Sequence, residues 1–457
     1  MANKFIAYIR EYCENCTIAG LGYIANRNLH FTERIFWLTC LILSSWGAYY
    51  LINDFKLEFE NKPVSIVYES LSPMRHFHFP SLCVCEAQNI GAYGDDLEAY
   101  VNSLGTGFDG EYNDNVEKFL SIFLYPEDYY HSVMNTCEEL EECEECSQCP
   151  ESGYRDVMEK LAVNCSAYFV KCKIADRVFD CCQYFLQIFT PFGNCFLMNS
   201  LQNNHRGSKN WLHTAIDPVD DTAEMKIFTQ RPMKVMIVNE EDIPHRAVQS
   251  VSVSLKEPGM KKDFYIYVEN MVNDPEVRDV SIKYRKCRFP DETLPNTLYR
   301  VYSFSACLSD CLRFRQLYSC NCTLPHLLPG DNKNIPECTL KGVRCLHEKS
   351  LINPDIGSVL NWTSEDESTK CECLPSCTED DFQAVYEKYY NTHNADGSIS
   401  VTIKVPNLPT QRYRRQSLRT KLDVVVNIGG VLGLFMGVSI LSALELLYYF
   451  TLRIFNN

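Results

Sequence analysis

Two long apolar stretches bracket this chain, and between them the pattern shortens to strand-length alternation interrupted by cysteines. Ile35 to Ile52, IFWLTCLILSSWGAYYLI, runs 18 residues without a charge, and Val424 to Leu444 runs 21. At ~1.5 Å per helical residue such lengths match a hydrocarbon layer of ~30 Å. The pattern predicts transmembrane helices over residues 34–54 and 421–451, a cytosolic arm over 1–33, an outside domain over 55–420 and a short tail over 452–457. The first stretch begins too far from Met1 for a signal peptide, and no small-residue cleavage site follows it. Two spans place both termini on one side, and Lys4, Arg10, Arg27 and Arg34 ahead of the first make that side the cytosol.

The second stretch is not built as a passive anchor. Gly429, Gly430, Gly433 and Gly437 recur in it, Ser439 and Ser442 interrupt it, and Glu445 lies near its far end. Small and polar residues in a span signal close backbone approach or water. Asp423, Asn427, Gly430, Leu434 and Gly437 are spaced four, three, four and three apart, which in a continuous helix is one face. Several copies around an axis would set Asp423 and Asn427 at an outer mouth and Leu434 at an apolar constriction. Gly429 and Gly433 lie off that face and read equally well as helix-packing positions. Glu445 reads either as a cation-attracting ring or as a residue that snorkels or pairs with Lys or Arg of the arm.

Between the spans, PVSIVYES, VQSVSVSL, DFYIYVEN and SISVTIKV read as strands, the last with Ile399, Val401, Ile403 and Val405 on one face. Ala306 to Tyr318 reads as helix, and residues 91–180 read as irregular and acidic. Of 24 cysteines, all but Cys13, Cys16 and Cys40 lie here, which is 21 in a compartment where thiols pair. CEELEECEECSQC, Cys137 to Cys149, carries six glutamates among four cysteines; zinc ligation is conceivable there, but outside the cell disulfides in an acidic loop are the expectation, with no metal. Sequons stand at Asn164, Asn321 and Asn361. A net charge of −16 argues against nucleic acid. No nucleophile, phosphate loop or metal constellation with usable spacing points to an enzyme, and no cofactor is implied.

FPSLCVC after the first span, FGNCFLMNS, the series from YSFSACLSDC to KCECLPSC, and GGVLGLFMGVSILSALE together resemble the degenerin/epithelial sodium channel family over essentially the whole length. YRKCRFPDE around Cys287 leans toward the insect pickpocket branch. The resemblance implies a membrane protein of α+β class in the plasma membrane, a homo- or hetero-trimer of related subunits. Each subunit would have two transmembrane helices flanking a large disulfide-rich ectodomain of finger (about 91–200), thumb (about 300–380), palm, knuckle and β-ball. Its function would be a sodium-selective, amiloride-sensitive cation channel gated through the ectodomain by an extracellular ligand or by force, with Na+ permeant. A two-pass lipid-binding receptor of the scavenger type shares the topology but needs neither the small-residue tract nor the carboxylate of the second span, and an ATP-gated trimer leaves the cysteine series unexplained.

Residue by residue, the resemblance makes Gly437, Val438 and Ser439 the selectivity tract, and Asp423, Val426, Asn427, Gly430, Leu434 and Glu445 the pore and gate. It makes Gly433 the amiloride position and Ala19-Gly20 the counterpart of a cytosolic His-Gly motif whose histidine is replaced here. Val426 stands where bulky residues hold relatives open, and Asn427 replaces the usual aspartate. Tyr284 matches an aromatic at the wrist. Disulfides are implied for Cys85 with Cys195, Cys172 with Cys181 or Cys182, Cys287 with Cys377, Cys307 with Cys373, Cys311 with Cys371, Cys320 with Cys345 and Cys322 with Cys338. Cys83, Cys137, Cys143, Cys146, Cys149, Cys165 and one of Cys181 and Cys182 remain without an implied partner. The basic run Arg412, Arg414, Arg415 and Arg419 reads as a patch facing lipid headgroups, or as a processing site.

Overall fold

The computed structural model describes residues 2–61, 64–70, 77–87, 100, 110–126, 149–175, 177–213, 215–216, 224–246, 251–330, 334–354, 356–360, 371–390, 394, 396–406, 411–418 and 421–455. The chain divides into two compact units, one of residues Met1–Val67, Asn273–Arg285 and Arg414–Asn457, the other of Tyr68–Val272 and Lys286–Tyr413.

In the larger unit two sheets carry the architecture. The smaller sheet is antiparallel throughout, ordering strands Val251–Leu255, Met233–Val238, Ser81–Glu86, Gly193–Met198 and Leu186–Thr190. The mixed sheet runs through Lys261–Asn273, Ile399–Lys404, Glu224–Thr229, Phe169–Ile174 and Arg177–Phe179, with Asp381–Tyr390 also pairing Lys261–Asn273. The one-faced reading of SISVTIKV is half of what the strand does. It pairs in parallel with 261–265 and antiparallel with 224–229, and Ser400 and Thr402 are buried along with Ile399, Val401 and Ile403. A central strand covered on both faces loses its sequence alternation as a guide to burial.

The described residues between 91 and 180 are more regular than the region's acidic composition suggests. Gly110–Leu124 and Tyr154–Leu161 are helices, and Val116, Phe119, Leu120 and Phe123 recur at helical spacing with no exposure at all. Phe123 stacks on Tyr154 at 4.1 Å between ring centroids, and Phe119 meets the same ring edge-on at 5.7 Å. Aromatic pairs of these geometries fill the core that the two sheets cover.

The predicted helix at 306–318 extends over Phe304–Cys320. Ser303 caps it by accepting the Ala306 N–H at 3.1 Å, and Asn321 ends it in the left-handed region. Cys307 and Cys311, one turn apart, bond Cys373 and Cys371, so two staples hold one helix face to a single extended segment. The structure also brings together Cys85 with Cys195, Cys172 with Cys181, Cys287 with Cys377, Cys320 with Cys345 and Cys322 with Cys338. A pair with no sequence expectation, Cys165 with Cys182, closes the strand turn beside Cys172. Cys149 is bonded as well, whereas Cys83 is a buried free thiol, and Cys137, Cys143 and Cys146 lie outside the described residues. Asn164 and Asn321 are exposed, and Asn361 is outside the described residues.

Arg412, Arg414 and Arg415 of the basic run lie within strand Gln411–Ser417. In the larger unit Arg412 pairs with Glu69 at 3.0 Å. In the smaller unit Arg414 pairs with Asp274 at 2.7 Å, and Arg415 donates to Asn273 Oδ1 at 3.3 Å. Strand pairing and nearby acceptors hold these arginines to the protein, and Arg419 is outside the described residues.

A buried polar junction ties the smaller sheet to the 304–320 helix. Ser305 donates to Asp242 Oδ1 at 2.7 Å and accepts from the Ile243 N–H at 3.0 Å, while Thr378 donates to Glu241 Oε1 at 2.6 Å. Burial pushes the Glu241 carboxyl up to about 8, against the Thr378 hydrogen bond, which lowers it. A folded pKa above the unfolded 4.5 means that this group's stabilisation is fully present below pH 4.5 and lost as pH rises through about 8. Glu241→Gln should therefore melt close to the parent at pH 4.5 and well above it at pH 9. Thermal unfolding of the detergent-solubilised chain at both pH values measures this, and an equal response of the two proteins to pH would exclude it.

Candidate functional site

In the smaller unit, Phe31–Asn61 forms one 31-residue helix, and its portion Phe31–Leu57 is the one described helix long and apolar enough to cross a membrane alone. The second apolar stretch does not form the continuous helix expected over 421–451. Helix Lys421–Met436 stops, and Ile440–Phe450 starts after a 76° bend.

The break has a local cause. Gly437 adopts φ +67°, a left-handed conformation that side chains disfavour, and its N–H bonds the Gly433 carbonyl at 3.0 Å. The Val438 N–H also reaches the Leu432 carbonyl at 3.4 Å, so a left-handed glycine closes the helix end. Two residues later Ser439 caps the next helix, accepting the Ser442 N–H at 3.3 Å while its own N–H bonds Ser442 Oγ at 3.1 Å, a reciprocal capping box. Gly-Val-Ser is thus a stop, a link and a start. The glycine stop and serine cap were readable in the sequence as helix-end signals.

Gly437 consequently leaves the helical face shared by Asp423, Asn427, Gly430 and Leu434, because the face ends with the helix at Met436. Those four residues remain on one side of the upper helix and are exposed in the single chain, Leu434 at 81% and Val426 nearby at 62%. The Asn427 amide donates to the Asp423 carbonyl at 2.8 Å. Gly429 and Gly430 have open space where a Cβ would stand, and Gly433 faces only the Val438 carbonyl at 3.6 Å. The chain's own packing therefore does not require Gly429 or Gly433 to be glycine. The packing glycine is one the sequence reading passed over. A Cβ on Gly47 would lie 2.8 Å from Phe435 Cε1, so the first helix approaches the second stretch closely there.

The arm meets the break from below. Its helix Ala2–Asn15 sets Tyr12 edge-on against Tyr449 and Phe450, at 5.5 and 5.7 Å, and Glu11 pairs with Arg453. Beyond that helix the Ala19 N–H bonds the Met436 carbonyl at 3.0 Å, satisfying one acceptor that the broken helix leaves open. The Ala19 methyl lies 3.5 Å from the place a Cβ on Gly437 would occupy. Gly20 follows in a left-handed conformation and begins helix Leu21–Ala25.

Glu445 finds a partner that neither sequence reading named. Thr17 donates to its Oε2 twice, from the backbone N–H at 3.1 Å and from the hydroxyl at 2.9 Å. The same hydroxyl lies 2.7 Å from Ser442 Oγ. The chain thus runs Ser439–Ser442–Thr17–Glu445, and among the described residues the carboxylate is held by Thr17 hydrogen bonds with no Lys or Arg partner. Tyr284 sits in the same unit on helix Ile282–Arg285, with the Lys283 ammonium 5.7 Å from its ring centroid. The selectivity-tract residues, Glu445 and Ala19-Gly20 are brought together; Asp423 and Asn427 are placed at the opposite end of the upper helix.

Residues 12–449 match the profile of the family described as amiloride-sensitive sodium channel. Among curated proteins the chain is similar to sodium channel protein Nach of Drosophila melanogaster, 21% identical over 99% of this chain and 89% of that one. It is likewise similar to pickpocket protein 19 of the same fly, 23% identical over 93% of this chain and 88% of the relative. Human acid-sensing ion channel 2 is 26% identical over 58% of this chain and 53% of its own length.

Thr17→Val removes one of the two donors to Glu445 and the link to Ser442, at a cost of ~1.5 to 3 kcal/mol for a bond to a charged acceptor. It should loosen the arm and raise the labelling rate of the partly buried Cys16 by a membrane-permeant maleimide severalfold, measured against Thr17→Ser. Gly47→Leu should overpack against Phe435, costing ~1 to 3 kcal/mol and lowering the yield of correctly assembled protein by gel filtration.

Proposed function

Because the chain belongs to the amiloride-sensitive sodium channel family, whose members are plasma-membrane ion channels rather than enzymes and use no cofactor, we propose that it is the subunit of a trimeric sodium-selective channel. The observation that carries this is the helix break at Gly437–Val438–Ser439 with the arm closed against it. In this reading the two bent helices are one span, both termini are cytosolic, and residues 55–420 are extracellular.

Three copies of the break around an axis form the narrowest part of the pore. A left-handed glycine turns the backbone there, so carbonyl oxygens can point inward and replace part of the hydration shell of Na+. The Ser439 hydroxyl already caps the lower helix, which assigns it to shaping the turn first and to ion contact second. Above it, Leu434 forms the apolar constriction, and Asp423 and Asn427 ring the mouth. Gly433 is the amiloride position, where a side chain would meet the Val438 carbonyl at 3.6 Å. Below, Glu445 is held on one oxygen by Thr17, and no described residue bonds Oε1, which can face permeating cations. The arm residues Ala19 and Gly20 brace the break, so movement of the arm changes the filter directly.

Val426, exposed at 62% on the upper helix, is bulky where a gate must close, and the native channel is expected to pass current at rest. Two-electrode recording of the expressed chain, with sodium replaced by potassium, should show a cation current that falls with the exchange and is blocked by amiloride. Val426→Gly should reduce the resting fraction, and Gly437→Val should abolish current while surface biotinylation stays normal. Current unchanged in Gly437→Val would remove the filter assignment, and no sodium preference in the parent would remove the selectivity.

A further inference from the structure

Within the larger unit, the 304–320 helix, the turn Pro325–Leu327, residues 352–354 and Val359 line a cavity of about 210 Å³, whose remaining described wall is Pro126, Pro191 and the residues His245 and Arg246 that follow strand Met233–Val238. Its body is apolar. Leu308, Leu312, Ile352 and Val359 are all at least nine-tenths buried and line it. For scale, an engineered apolar cavity of ~150 Å³ admits benzene, so this one suits a ligand of about eight to ten heavy atoms.

Two polar features single the cavity out from ordinary core packing. His326 lines it, is 2% exposed, and its Nδ1 has no hydrogen-bond partner among the described residues. Burial lowers its imidazole to about 3, so the ring is neutral at physiological pH and offers one donor and one acceptor rather than a charge. A buried ring nitrogen left unpaired costs ~1 to 3 kcal/mol, which a bound polar group would recover. At the rim stands Arg246, exposed, with no ion pair or hydrogen bond to any described residue. Among the described residues no carboxylate belongs to the lining, so none of them competes for that guanidinium. Asn353, also in the lining, donates to the Pro126 carbonyl at 3.3 Å and ties the two sides together.

We propose that this cavity binds a small amphipathic monocarboxylate, its apolar body among Leu308, Leu312, Ile352 and Val359, its carboxylate on the Arg246 guanidinium and within reach of the His326 ring. Guanidinium matches carboxylate geometrically, donating two parallel N–H bonds to its oxygens. The occupant would join the stapled 304–320 helix to the end of the Gly110–Leu124 helix, where Pro126 stands, so its binding would bias how these two elements lie against each other. The proposal is independent of the pore reading, since it concerns binding to the larger unit and not conduction.

The test is saturation-transfer NMR on the full-length detergent-solubilised protein with hexanoate and, separately, with hexanol as the uncharged isostere. Hexanoate should bind, hexanol should bind more weakly, and Arg246→Gln should weaken hexanoate about tenfold or more while leaving hexanol unchanged. Arg246 is exposed, so this variant keeps the fold. Leu312→Trp, which fills the cavity, should abolish both signals, with a gel-filtration profile and melting transition as its folding control. Should Leu312→Trp fail to fold, Arg246→Gln decides alone. Equal hexanoate affinity in the parent and Arg246→Gln, or no saturable binding of hexanoate to the parent, overturns the proposal.

Discussion

A left-handed glycine in the middle of an apolar stretch is the constraint from which the smaller unit follows. Gly437 ends one helix, and Ser439 must begin another within two residues, so the stretch bends by 76° and exposes carbonyls that a continuous helix would have paired. In lipid such groups need partners from within the protein. The arm supplies one, through Ala19 on Met436, and at the same time satisfies Glu445 through Thr17. Backbone geometry, the carboxylate's hydrogen bonds and arm position therefore form one linked arrangement. Disturbing any member changes the others.

The larger unit solves a different problem, that of holding a largely acidic chain in a defined shape outside a single large helix bundle. Two sheets supply the core, and disulfides fix what packs on it. Staples at Cys307 and Cys311 restrain the 304–320 helix over its first two turns, while Ser305 at its start reaches Asp242 and Ile243. Cross-links of this kind typically contribute ~2 to 4 kcal/mol each. A helix tethered at its beginning can transmit a displacement instead of absorbing it. The cavity beneath Leu308 and Leu312 lies against that same tethered part of the helix.

Much of this was legible in the residues. Charge-free runs located the apolar segments, helical spacing located 306–318, and family-like cysteine spacing implied partners for most thiols. Other features were legible but overlooked. Val116, Phe119, Leu120 and Phe123 carry a clear helical period inside an acidic region, and Gly-Val-Ser contains both a helix stop and a helix start. The alternation of SISVTIKV suggested one buried face because its serine and threonine are polar, yet a strand flanked on both edges buries them as well.

What the sequence determined by itself is local: where the chain is apolar enough for lipid, which segments have helical or strand period, and where glycine and serine punctuate them. Those properties follow from neighbours along the chain and from side-chain chemistry alone. Tertiary structure decided the rest. Thr17 and Glu445 are 428 residues apart, and nothing near either one announces the other. Gly47 is unremarkable within its helix until Phe435 arrives against it. Arg412 and Arg414 share one basic run in the sequence, and only the fold sets them beside Glu69 and Asp274. Each of these depends on which distant segments are folded together, because hydrogen bonds and packing act over a few ångströms of space whatever the separation along the chain.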